Sequence, residues 1–172
     1  MLLRKVSTSV VVVIILNASI AFAQTNGSKA SAVGTWKLDL KESTFGADPP
    51  PKSVTLTVTT DTPDTSAWRV EIVDPAGKSI SYSWSGPTDG TLQPLKGADG
   101  KVMGKESLKR EGDALLRHGE DPSNGSSFDS RVTMSADGTT ITDVTTVKSK
   151  DGKTAKTTSV YRRSTATSPG SK

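Results

Sequence analysis

Apolar and polar residues alternate along most of this chain in short runs, with the two-residue period of a half-buried strand. Trp36, Leu38 and Leu40 share one parity and Thr35, Lys37 and Asp39 the other, which predicts a first strand. Val54, Leu56 and Val58 alternate with Ser53, Thr55, Thr57 and Thr59; Trp68, Val70 and Ile72 alternate with Arg69 and Glu71. Ile80, Tyr82 and Trp84 alternate with Ser79, Ser81, Ser83 and Ser85. Weaker runs rich in Thr, Val and Ser cover 91–95, 102–110, 114–118, 127–134, 139–148 and 153–163. None of them repeats its apolar residues at the 3.6-residue period of a helix.

The punctuation agrees with the runs. Ala76-Gly77, Asp89-Gly90, Asp99-Gly100, Glu111-Gly112, Asn124-Gly125, Asp137-Gly138 and Asp151-Gly152 recur every ten to fourteen residues. Asp-Gly and Asn-Gly supply the positive φ of tight hairpin turns. A parallel sheet would need a crossover of a dozen or more residues between strands, and no such stretch is visible. The expected fold is therefore all-β, an antiparallel up-and-down meander of eight to ten strands. Closing that meander into a barrel removes both exposed edges.

The ends of the chain have a different composition. Arg4 and Lys5 precede the apolar run Val10 to Leu16, and Ala21-Phe22-Ala23 stands before Gln24, which predicts a secretory signal over 1–23. A membrane anchor is the competing reading, but Asn17 interrupts the run well short of the roughly 20 apolar residues that a span needs. Residues 24–32 and 164–172 are small and polar and read as flexible flanks, so the domain is expected at 33–163. With no cysteine for disulfides, export suits a bacterial periplasm or exterior.

Composition narrows the chemistry. The 172 residues include one His and no Cys, which excludes thiol nucleophiles, thiolate metal sites and multi-histidine centres. Formal charge is +4, and removing Arg4 and Lys5 with the signal leaves 20 basic against 18 acidic residues, so nucleic acid is not an expected partner. Leu, Ile, Val and Phe number only 23 in residues 24–172, and their placement rather than their abundance argues for folding. His118 with Ser107, Ser123 or Ser126 and an Asp forms a weak triad candidate, weaker than a lone surface histidine. Glu120, Asp121 and Asp129 lack the alternating ligand spacing of a calcium loop and read as solvated turns. Lys101, Lys105, Lys109 and Arg110, then Lys148, Lys150, Lys153, Lys156, Arg162 and Arg163, read as a charged outer face, with anionic headgroups or cell-wall polymer as the alternative contact. No metal or cofactor is expected, and no enzymatic activity.

Val33-Gly34-Thr35-Trp36-Lys37-Leu38, with Phe45 after it, resembles the G-x-W opening of the lipocalins and, more closely, the G-T-W-K-L opening of the intracellular fatty-acid-binding proteins. Ser159-Val160-Tyr161-Arg162-Arg163 is similar to the closing R-x-Y segment of the latter family. The resemblance implies a closed calycin barrel in which Trp36 plugs one end under a basic side chain, Arg162 or Arg163. It also implies a carboxylate clamp from the R-x-Y pair, but Ser159 stands where its arginine would be. The helical pair that lids the family's cavity would fall after the first strand, where this chain has Thr44 to Asp48 and Pro49-Pro50-Pro51.

Together these features predict a secreted barrel that holds a small apolar or amphipathic ligand, with Trp68, Tyr82, Trp84, Phe128, Met134 and Tyr161 as candidate wall residues. No stable membrane insertion is expected after cleavage of the signal. The alternative is an envelope or extracellular protein whose barrel is filled and whose outer surface meets a partner.

Overall fold

The computed structural model describes residues 30–164, and the expected signal and the outer parts of both flanks lie outside them. Ten strands follow one another: β1 (Gly34–Leu38), β2 (Ser53–Asp61), β3 (Thr65–Val73), β4 (Ser79–Pro87), β5 (Gln93–Gly97), β6 (Val102–Glu111), β7 (Ala114–Asp121), β8 (Ser126–Met134), β9 (Thr140–Lys148) and β10 (Thr154–Arg163). Each pairs antiparallel with its neighbour in sequence, and β1 pairs with β10, so the meander closes into a barrel. The described residues contain no helix. All seven glycines of the turn dipeptides have positive φ, from 58° at Gly112 to 94° at Gly77 and Gly90, which is what hairpin connections of this kind demand.

The alternation places the apolar parity inside. Trp36, Val54, Val58, Trp68, Val70, Trp84, Leu108 and Ile141 form the buried core. β1 ends sooner than the pattern suggests. The Asp39 carboxylate accepts the backbone N–H groups of Lys41 (3.0 Å) and Glu42 (3.4 Å), which turns the chain and leaves Leu40 40% exposed outside the strand. The connection from β1 to β2 then runs along β10, bridging Thr44 to Thr158, where the resemblance implied helices in the family's fold.

Trp36 is completely buried at the end of the barrel where β1 begins, and its indole N–H donates to the Ala32 carbonyl at 2.8 Å. Arg163 lies over its ring, 4.1 Å from the centroid. The Arg163 guanidinium donates to the carbonyls of Gly138, Val33 and Ser31 at 2.7–2.8 Å, tying the entering chain to the β8–β9 turn. Arg162 has the opposite parity and turns outward to Glu42, Asp39 and Thr140, so the covering role falls to Arg163 alone. Two flank residues belong to the folded part. Ala32 donates its N–H to Asp61 at 2.8 Å, and the Ser164 N–H donates to the Thr35 carbonyl at 2.8 Å.

Candidate functional site

Inward parity carries three charged residues into the middle of the barrel, and they meet. Arg117 follows Leu115 on β7, Glu106 precedes Leu108 on β6, and Asp143 follows Ile141 on β9. Arg117 donates to Glu106 through Nε (2.7 Å) and Nη2 (3.2 Å), and to Asp143 through Nη1 (2.7 Å). The Glu106 and Asp143 side chains are 1% and 12% exposed, so this is a buried ion triad rather than a surface network. Burial alone would weaken the guanidinium's hold on its proton. The attraction of Glu106 and then Asp143 outweighs it, and the Arg117 pKa lies above its ordinary value.

Two aromatic rings also contact the guanidinium. Its Cζ is 5.3 Å from the ring centroid of Trp68 and 5.4 Å from that of Phe128. Phe128 reaches this position because it pairs with Gly119: a Cβ on that glycine would stand 2.1 Å from the Phe128 ring. Trp68 in turn packs edge-on against Tyr82, with centroids 6.0 Å apart, and stacks on Trp84 at 6.3 Å. The Trp84 N–H donates to the Glu106 carbonyl at 2.9 Å.

Beside this cluster lies a cavity of about 110 Å³. Leu56, Val58, Trp68, Val70, Leu115 and Ile141 give it apolar walls, and Arg117, Asp143, Tyr82 and Tyr161 give it a polar side. It extends toward the plugged end as far as Ser66, Asp61 and Ala32. There Asp61 also pairs with Arg110, so one carboxylate ties both Ala32 and β6 across the cavity's end. Burial raises the pKa of both tyrosines above the ordinary phenol value, and both hydroxyls stay protonated at neutral pH.

Of the candidate wall residues, the structure brings Trp68, Tyr82 and Tyr161 together around the cavity. Trp84 lies behind Trp68, Phe128 lies beyond Arg117, and Met134 packs against the core without lining the cavity. Arg117, Glu106 and Asp143 were not anticipated. Their signal was a charged residue on the apolar parity of its strand.

On the outside of the barrel, Ser107, His118 and Asp129 stand in register across β6, β7 and β8. His118 Nδ1 is 2.8 Å from Asp129, but Nε2 faces Glu120 at 3.6 Å, and no hydrogen bond joins His118 to Ser107. The nucleophile–base contact of a hydrolytic triad is thus missing. Lys105 and Lys109 point outward on β6, whereas Arg110 leaves the expected basic face for Asp61.

No protein-family model matches the chain, and no curated protein matches it. Solved structures similar to it include wild-type fluorescent protein UnaG, at 18% identity over 77% of this chain and 96% of that one, with a TM-score of 0.47. A redesigned beta barrel is 15% identical over 80% of this chain and 98% of its own, with a TM-score of 0.49. EF1p2_mFAP2b bound to DFHBI is 16% identical over 80% of this chain and 100% of its own, with a TM-score of 0.46. At such identities the side chains around the cavity are this chain's own. The architecture is a closed, antiparallel barrel of ten strands, and a closed barrel is what the lipocalin and fatty-acid-binding resemblance implies.

Proposed function

We propose that this chain is an exported, non-enzymatic barrel that holds one small, largely apolar molecule in its interior. The observation that carries this reading is the cavity of about 110 Å³ in a closed barrel, walled by aliphatic residues and Trp68 with a few convergent polar groups. A core with few large apolar residues gains from filling its interior, and an empty space of this size forfeits contacts that a ligand restores. The volume is nearer to that of a cavity that accepts one aromatic ring than to the roughly 300–1,000 Å³ of drug-sized sites. Export rests on the charged, apolar and small-residue order of 1–23 and predicts a mature N-terminus at Gln24. Mass spectrometry of the protein recovered from its native cell reads that terminus directly; a retained Met1 rules the export reading out.

The binding test is a titration of the mature protein with single-ring apolar probes, followed by tryptophan emission. Saturable quenching at one probe per chain is expected, together with its loss in Leu115→Trp, which fills the cavity from the wall. A wild-type protein that no such probe perturbs has a filled barrel, and the partner must then be sought on its outer surface.

A further inference from the structure

The cavity's polar side has an unusual balance of charge and hydrogen-bonding capacity. One guanidinium faces two carboxylates, so the buried triad carries a formal charge of −1. All four carboxylate oxygens are already accepting: Glu106 Oε1 and Oε2 from Arg117, Asp143 Oδ2 from Arg117, and Asp143 Oδ1 from the Thr145 hydroxyl at 2.9 Å. Arg117 spends three of its five N–H groups on these contacts, which leaves one on each terminal nitrogen. Tyr82 and Tyr161 add phenolic hydroxyls at the cavity wall. The donors left for a ligand are therefore two N–H groups of Arg117 and the phenolic hydroxyls, set in a field that is negative overall.

We infer that the cavity selects an uncharged, ring-sized molecule bearing a hydrogen-bond acceptor such as a carbonyl or ether oxygen, and discriminates against the carboxylate of the same size. This rests on the proposed ligand-binding function and specifies its chemistry. A carboxylate approaching Arg117 would enter beside Glu106 and Asp143, and like charges among side chains this buried repel strongly. A cation would give up its hydration on entry and meet the Arg117 guanidinium, which already pairs with both carboxylates. A neutral carbonyl accepts from the spare donors without adding charge. The arrangement differs from a carboxylate clamp, in which the arginine's charge is left free for the ligand. The protonated tyrosines strengthen the case, since both stay donors at neutral pH.

The test compares acetophenone, benzoate and benzylammonium at neutral pH by calorimetry on the mature wild-type protein. Acetophenone is expected to bind about tenfold or more tightly than either ion, a difference of about 1.4 kcal/mol. Asp143→Asn makes the triad neutral, and Glu106→Gln with Asp143→Asn leaves Arg117 as its only charge. Benzoate should gain on acetophenone in the single variant and overtake it in the double. Benzoate or benzylammonium binding the wild type as tightly as acetophenone would overturn the inference and leave the binding function standing. If none of the three binds although a single-ring apolar probe does, the inference fails and the binding function stands; if that probe fails too, the ligand-binding reading itself fails. Each amide variant's fold is checked by circular dichroism; should both unfold, the wild-type ranking decides.

Discussion

Two arginines of this barrel lie on tryptophan rings, and the atoms that hold them make different devices of the two pairs. Arg163 sits over Trp36 and gives its N–H groups to three backbone carbonyls. Carbonyls bear no net charge and cannot move without the chain, so this pair fastens the entering segment and the β8–β9 turn to the barrel end. Arg117 contacts the rings of Trp68 and Phe128 and gives its N–H groups to two carboxylates. Those side chains belong to β6 and β9, and the guanidinium they hold lines a cavity rather than a seam. A cation on an indole is thus the same local contact in both places. What its other donors touch decides whether it closes the barrel or furnishes its interior.

The largest expected effect separates the two directly. Arg117→Met strands two buried carboxylates and should cost about 3–5 kcal/mol in denaturant midpoint measurements at neutral pH. Arg163→Met strands no charge. Loss of its ring contact and carbonyl bonds should cost about 1–3 kcal/mol. Equal losses would erase the distinction.

That distinction was only half legible in the sequence. Trp36 stands in an opening motif whose family role is structural, and Arg163 shares the inward parity of Tyr161 while Arg162 does not. Parity therefore separates the two arginines once Tyr161 is placed inside. The hairpin order was legible because Asp-Gly and Asn-Gly demand turns whatever surrounds them. Arg117 was hidden for a physical reason. A charge in a short strand reads as solvated, and the two carboxylates that make its burial tolerable come from positions 106 and 143, one on the neighbouring strand and one two strands away, which only the register of the folded meander brings together. Phe128 was misplaced on the cavity wall because nothing in its own run shows that Gly119 opposite leaves room for the ring to turn toward Arg117.

Alkaline pH should sharpen the contrast with a smaller effect. Burial, ahead of every other cause, raises the pKa of Tyr161 and Tyr82, so the folded state favours the neutral phenols. Their contribution is whole below the ordinary value of 10.0 and is lost as the pH climbs from there through the folded-state values. Stability of the wild type should consequently fall faster above pH 10 than that of a Tyr82→Phe, Tyr161→Phe variant; parallel curves would remove the tyrosines from the dry side of the cavity.

The smallest effect tests whether the polar interior is as crowded as the triad implies. Ser130 faces Arg117 in register on one side and Thr145 on the other, and its hydroxyl is the only buried side-chain polar atom without a partner among the described residues. An unbonded buried hydroxyl forfeits its hydration for nothing, so Ser130→Ala should stabilise the protein by about 1 kcal/mol. Thr88 offers the matching control near the plugged end. It is equally buried, at 7% exposure, but its hydroxyl donates to the Pro63 carbonyl, and Thr88→Val should instead cost about 1 kcal/mol. Opposite signs for two buried hydroxyls would mark the barrel's middle as the region where polar groups outnumber their partners and its end as the region where they are matched. A loss at Ser130 comparable to that at Thr88 would mean that its hydroxyl is bonded in solution, and the mismatch would then lie only in the charges around Arg117.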